Sequence, residues 1–132
     1  MLVRELSSEP LFSLRRHDPA ILVWWTAEVE CVSAIARLER ESSSVWPIDD
    51  ALQRLDSLTA SWHEVHPGEQ VRRTARRLLR VHPLRAADAL QLGAALVGAD
   101  NHPESLDFVT LDIRLAEAAR REGFHVLDLL PT

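Results

Sequence analysis

Short apolar runs alternate along this chain with longer segments of helical periodicity. Three runs are typical of buried strands, and a fourth segment could hold one: AILVWW (20–25), DFVTL (107–111), FHVLDL (124–129) and WHEVHP (62–67). Apolar residues at helical spacing predict helices over residues 26–40, 47–60, 68–81, 83–99 and 113–122. The alternation predicts an α/β fold whose parallel sheet is flanked by helices on both faces. Without repeats, linkers or low-complexity tracts, we predict one domain over residues 1–132.

One acidic residue interrupts the most apolar of these helices. Asp88 lies in HPLRAADALQLGAALVGA, a segment that is apolar on nearly every side, so we expect the helix to be sandwiched and Asp88 to be buried. An unpaired charge is costly to remove from water, so a buried carboxylate is usually paired, hydrogen-bonded or bound to a metal. The alternative to a metal site is a salt bridge to Arg85, supported by the positive end of the helix.

Two further acids follow the predicted strand ends. Glu30 lies about one helical turn beyond the run 20–25, and Asp112 follows the run 107–111. Ligands of open α/β sheets bind outside the carboxyl ends of the strands, so we expect Glu30 and Asp112 to converge there and Asp88 to join them. Such a cluster repels itself without cations, and oxygen ligands suit Mg²⁺ or Mn²⁺.

Each of these two acids also has an ordinary structural interpretation. An Asp between a strand and a helix is a common N-cap, which would explain Asp112 without any ligand. Glu30 could pair with Arg37 or accept a hydrogen bond from Ser33 on its own helix. The sequence alone leaves these alternatives open for both residues.

Composition and charge narrow the function classes. The chain has 132 residues and a net charge of −5, which argues against a protein that relies on a global positive field over nucleic acid or membrane. A local basic face is predicted on helix 68–81, and it is either a solvated surface or a site for an RNA backbone or an acidic partner. Its members are Arg72, Arg73, Arg76, Arg77 and Arg80.

Other features are consistent with a cytoplasmic protein without a zinc site. The single Cys31 excludes an internal disulfide, and we see neither a signal peptide nor a run of about 18 apolar residues. We therefore expect a cytoplasmic protein without membrane contact. His63 and His66 are three residues apart beside Pro67, which is the wrong spacing for the helical zinc motif of metalloproteases. Trp24 and Trp25 are expected to pack in the core.

Taken together, the acid-bearing segments resemble a known family. WWTAEVECVSAIARLER around Glu30, HPLRAADALQLGAAL around Asp88 and FVTLDIRLAEAARREGFHVL around Asp112 are similar to PIN domains, especially the VapC-type ribonuclease toxins of type II toxin–antitoxin modules. The resemblance runs from about Val3 to the C-terminus. Each segment alone is weak, but their order, spacing and flanking residues agree.

This resemblance implies a three-layer α/β domain that hydrolyses single-stranded or loop RNA with Mg²⁺ or Mn²⁺. Glu30 and Asp88 would bind or orient the metal, and Asp112 would complete the cluster directly or through water. Ser33 and Thr110 would only support these ligands. The implied partners are an RNA substrate and a cognate antitoxin protein, and a homodimer is also expected.

The beginning of the chain departs from the family pattern. PIN domains open with an apolar strand that ends in Asp and lies in the middle of the sheet, and no such strand is recognisable here; Glu5 does not replace its Asp. The sequence thus predicts a missing first strand and an opened core. Either the start codon is misplaced and the natural protein is a complete nuclease, or the domain is truncated, inactive and retained as an interaction module. A third interpretation is a small α/β interaction module in which Asp88 belongs to a structural ion pair.

Overall fold

The computed structural model describes residues 11–14, 21–41, 48–110 and 112–127. The strands are β1 (Leu11–Leu14), β2 (Ile21–Trp24), β3 (His63–Val65), β4 (Leu106–Val109) and β5 (His125–Leu127). The helices are α1 (Ala27–Glu41), α2 (Ile48–Ser61), α3 (Glu69–Val81), α4 (Ala86–Gly98) and α5 (Ile113–Glu122), with a 3-10 turn at Pro103–Ser105. Glu5, Leu111 and the end of the last predicted strand lie outside the described residues.

Local sequence signals account for most of these elements. β2, β3, β4 and all five helices are confirmed where the apolar patterns predict them. Helix α5 shows why, because both of its ends carry capping residues. Asp112 accepts a hydrogen bond from the Leu115 N–H at 3.0 Å, and Gly123 ends the helix with φ of 108°, a left-handed conformation that glycine adopts without strain.

The sheet is mixed rather than wholly parallel. Its strand order is β3-β2-β1-β4-β5, and only the β2–β3 and β4–β5 pairs are parallel. β1 lies in the middle and runs antiparallel to both neighbours, with Phe12 opposite Leu22 and Phe108. The expectation of an opened core is therefore wrong for the described chain, because β1 supplies hydrogen-bond partners to both β2 and β4. β1 is antiparallel and ends in Leu14, so it is not the strand ending in Asp that the PIN pattern requires.

Helices cover both faces of this sheet. Val23 on β2 packs with Ala27, Cys31 and Ile35 of α1 and Leu55 of α2 in one core cluster. The next residue, Trp24, points to the opposite face, where a larger cluster contains side chains of α3, α4 and α5. The α/β class and the covering of both faces are thus confirmed.

Helix α4 lies deepest in the molecule, sandwiched between α3 and the sheet as its composition predicts. A Cβ built on Gly93 would lie 3.3 Å from both Val71 O and Ala75 N, so this glycine lets the backbones of α3 and α4 approach closely. On the other side, a Cβ on Gly98 would meet the Leu22 side chain of β2 at 2.5 Å. Although α4 is apolar, no helix in the described part of the chain is both long and apolar enough to cross a membrane.

Candidate acidic site at the carboxyl edge of the sheet

The topology directs two of the three predicted acids to one edge of the sheet. β2 and β4 both run antiparallel to β1, so they point in the same direction and their carboxyl ends lie at the same edge. Glu30 follows β2 in the first turn of α1, and Asp112 follows β4 as the N-cap of α5. This edge is where open α/β sheets bind ligands.

Asp88 joins this edge from the first turn of α4. The helix begins at Ala86, three residues later than Pro83, because Arg85 has extended backbone angles and acts as the N-cap. The expectation that Asp88 is fully buried is wrong, since its side chain is only partly covered. The later start explains the difference, because a first-turn residue at the end of a sandwiched helix retains contact with solvent.

The electrostatic environment links Asp88 to Asp112. Burial raises the pKa of the Asp88 carboxyl, and the negative charge of Asp112 raises it further. A hydrogen bond from the Arg85 backbone and the Arg85 charge oppose this rise without cancelling it. Arg85 thus contributes as the ordinary interpretation expects, but among the described residues it forms no salt bridge with Asp88. The two aspartates are close enough for their charges to repel each other.

Glu30 is held on the sheet side of α4 by an amide. Gln91 is 5% exposed, and its Nε2 donates to Glu30 Oε2 at 2.9 Å and Oε1 at 3.1 Å. This partner lies on another helix, unlike Arg37 and Ser33, the candidate partners in the sequence. Gln91 lies one helical turn after Asp88, so the Glu30 carboxylate is bound next to the turn of α4 that carries Asp88.

Asp112 has a structural role that the sequence also predicted. Its side chain caps α5, and its own backbone N–H donates to Thr110 Oγ1 at 3.1 Å. Thr110 is buried directly after β4, so this bond fixes where the chain turns into α5. One carboxylate oxygen of Asp112 accepts the capping bond, and the residue is exposed to solvent. Capping therefore leaves Asp112 accessible to a ligand.

The donor set at this edge partly fits a hard divalent cation. Mg²⁺ usually keeps several waters and is bound through one or two carboxylates, which matches a repelling pair such as Asp88 and Asp112. Glu30 does not fit as it stands, because both of its oxygens accept bonds from Gln91. In the described part of the chain, no three His, Cys, Asp or Glu side chains are grouped so that they could hold a metal ion.

A second charged cluster was missed in the sequence. Glu122, at the last residue of α5, accepts hydrogen bonds from Arg77 Nη2 at 2.8 Å and from His82 Nε2 at 2.7 Å. His82 is 5% exposed, and its buried Nδ1 has no hydrogen-bond partner among the residues that the structure describes. Burial raises the pKa of Glu122, but its bonds to Arg77 and His82 outweigh that effect and lower it overall. These residues are 40 and 45 positions from Glu122, so no local pattern predicts the cluster.

Two apolar side chains near the acidic edge are also exposed. Trp24 packs in the core as predicted, but the prediction for Trp25 is wrong because it is 51% exposed where the chain leaves β2. Ile113, beside Asp112, is 79% exposed. Trp25 lies in the turn after β2 and beyond the helices that cover both faces of the strand, which explains the difference between the two tryptophans.

Comparison with known proteins identifies no relatives of this chain. No protein-family model matches the sequence, and neither a curated protein nor a solved structure is similar to it.

Proposed function

We propose that this chain is a divalent-metal-dependent endoribonuclease of the PIN type, acting as the toxin of a type II toxin–antitoxin module. The observation that supports the proposal most directly is the proximity of Asp88 to Asp112 at the carboxyl edge of the sheet, where burial and the Asp112 charge raise the pKa of Asp88. A carboxyl group whose pKa is raised by burial and by a neighbouring charge at a ligand-binding edge is a candidate functional group. The resemblance of the three acid-bearing segments to PIN domains supplies the reaction class.

The acids would divide the work at this site. Asp88 and Asp112 would hold Mg²⁺ or Mn²⁺, which supplies an activated water and neutralises charge on the phosphodiester when bound. Glu30 would help to orient the metal. To do so, its carboxylate would exchange the hydrogen bonds from Gln91 for contacts with a metal-bound water or with the metal itself. Gln91 would keep the Glu30 carboxylate in place before substrate arrives. Thr110 would fix the position of Asp112 through the bond to its backbone.

A second function is favoured by a specific observation. The Asp112 cap and the Glu30–Gln91 bonds give two of the three acids structural partners, as expected of an inactive PIN-like domain that binds other proteins. In that case the acidic edge would bind no metal, and partner binding would not depend on it. The cytoplasmic location, antitoxin partner and homodimer remain expectations of the PIN resemblance.

The test is calorimetric titration of the full chain with Mn²⁺, together with cleavage of a fluorescent single-stranded RNA. Asp112→Asn is the informative variant, because Asn caps helices as well as Asp and removes only the charge. We expect Asp112→Asn and Asp88→Asn each to weaken Mn²⁺ binding at least about tenfold and to reduce cleavage by about 100-fold or more. Asp56→Asn, on the exposed face of α2, should behave as wild type.

The two functions give different results in this experiment. If the wild-type chain binds Mn²⁺ and cleaves RNA while both site variants do not, the nuclease proposal stands. If wild type neither binds Mn²⁺ nor cleaves, the inactive interaction domain is the correct description. Equal Mn²⁺ binding by wild type and both variants would place the metal elsewhere and reject the assignment of these acids.

A further inference from the structure

The strongest positive surface of the molecule lies on α3 and continues onto α5. Four arginines of α3 and the side chain of Leu79 line an open cleft of about 430 Å³. Two arginines of α5 line a neighbouring pocket of about 120 Å³ with His82 and Pro83. We call these six residues the arginine track: Arg73, Arg76, Arg77, Arg80, Arg114 and Arg121.

The two parts of the arginine track are physically joined. Arg77 on α3 bonds to Glu122 at the end of α5, and His82, which lines the pocket on the α5 side, bonds to the same carboxylate. Arg114 is two residues after Asp112, so the arginine track ends beside the acidic edge. A polyanion lying along it would therefore reach Asp88 and Asp112.

Three of the six guanidinium groups of the arginine track have no ion-pair partner in the described part of the chain. Arg73 pairs with Glu69, Arg121 with Glu117 and Arg77 with Glu122. In contrast, Arg76, Arg80 and Arg114 form no ion pair with any residue in the described ranges. The whole chain carries a net charge of −5, so a polyanion would be attracted to this local positive surface and repelled by the rest of the molecule.

We propose that the arginine track binds the phosphate backbone of RNA and leads the strand to the acidic edge. This inference rests on the proposed nuclease function and adds the surface that holds the substrate. Arg76 and Arg80 are one helical turn apart, about 6 Å along the axis, so they can contact different phosphates of one strand. The guanidinium fork suits phosphate oxygens, and Leu79 supplies apolar surface between the charges. An acidic protein segment would use the same charges, and it is the alternative occupant.

The test separates RNA binding from RNA cleavage. Binding of a fluorescent single-stranded 12-nucleotide RNA is measured by anisotropy in EDTA, over a range of salt concentrations. The main variant is the double substitution Arg76→Gln with Arg80→Gln, and its matched control is Arg37→Gln with Arg40→Gln on α1. Both pairs are exposed, so stability should be unchanged, which thermal unfolding verifies.

We expect the Arg76/Arg80 variant to bind RNA roughly tenfold more weakly and to lower the slope of log affinity against log salt by about 1.4. The control should match wild type in both measurements. Arg114→Gln, on the other helix, should weaken binding by about threefold and lower the slope by about 0.7. In a cleavage assay with Mn²⁺, the Arg76/Arg80 variant should raise KM and leave kcat unchanged.

The contrary outcomes are distinct. The proposal that the arginine track binds RNA would be overturned if the Arg76/Arg80 variant had the affinity and salt slope of wild type. It would also be overturned if the control variant lost as much affinity. If Arg114→Gln binds RNA as tightly as wild type, the arginine track does not continue onto α5. If polyglutamate displaces the RNA as effectively as unlabelled RNA does, the surface binds an acidic protein instead. A wild-type chain that binds RNA through these arginines but does not cleave it with Mn²⁺ would refute the nuclease proposal alone.

Discussion

The two ends of helix α5 place carboxylates in opposite surroundings. At the C-terminal end, Glu122 is 12% exposed and bonded to Arg77 and His82. At the N-terminal end, Asp112 lies near Asp88, whose pKa rises through burial and through the charge of Asp112. The pKa of Glu122 falls despite its burial, because its two partners favour the ionised form.

This difference distinguishes a structural acid from a candidate ligand. A carboxylate at the C-terminal end of a helix faces the negative end of the helix dipole, so Glu122 requires the charge of Arg77 and the hydrogen bonds from Arg77 and His82. Asp112 is favoured by the positive end of the same helix, but that interaction does not offset the repulsion that Asp88 experiences. The carboxylate charge is compensated at the C-terminal end of α5 and only partly compensated at the N-terminal end, where a cation from solution would have most effect.

The largest expected change in stability comes from removing the charge of Glu122. Glu122→Gln removes the charge that Arg77 and His82 share and leaves the buried His82 without its anionic partner. We expect a loss of about 2–3 kcal/mol in the free energy of unfolding at pH 7, measured by urea denaturation. Glu117→Gln, on the same helix in an exposed pair with Arg121, should change stability by less than about 0.5 kcal/mol.

The stability difference should also depend on pH in a defined direction. The pKa of Glu122 is depressed in the folded state, so its contribution is present above the ordinary value of 4.5 and is lost as pH falls through the folded pKa. Wild type and Glu122→Gln should therefore converge in stability below pH 4.5. A constant difference over that range, or equal stability at pH 7, would contradict a charge-based role for Glu122.

A smaller loss of stability is expected from removing the Gln91 amide that bonds to Glu30. Gln91→Leu keeps the volume of this buried side chain but removes both hydrogen bonds to Glu30. Because Glu30 is only partly buried and can recover water, we expect a loss of about 1 kcal/mol, measured by thermal unfolding. Gln70→Leu on the exposed face of α3 is the control. If the two variants are equally stable, the bonds to Glu30 do not contribute to the fold.

Local signals in the sequence were sufficient for much of this architecture. Helix α5 has the predicted bounds because Asp112 and Gly123 cap it through contacts within a few residues. Strand β1 was not predicted, because four residues, LFSL, carry too short a pattern and depend on pairing with β2 and β4. The antiparallel direction of β1 is likewise set by those partners and not by its own residues.

The acidic edge could be anticipated only in part. Following the strand ends assigned Glu30 and Asp112 to the edge where β2 and β4 end, since that argument depends on chain direction. Gln91 could have been found by the criterion that singled out Asp88, a polar residue inside an apolar helix. The partners of Glu122 could not, because charge compensation across 45 residues is decided by how α3 packs against α5.

The smallest expected effect is a gain in stability, and it comes from removing the charge of Asp88 near the N-terminal end of α5. Because the pKa of Asp88 is raised on folding, its ionisation above the ordinary value of 3.8 costs stability. Asp88→Asn should therefore raise the melting temperature at pH 7 without metal, by roughly 1–3 °C, and this gain should fade toward pH 4 as Asp88 becomes protonated. Adding Mn²⁺ should reverse the order, since a cation stabilises only the chain that retains both carboxylates. A lower melting temperature for Asp88→Asn without metal would instead mean that the folded chain compensates Asp88 as fully as it compensates Glu122, and the contrast between the two ends of α5 would no longer support a metal site.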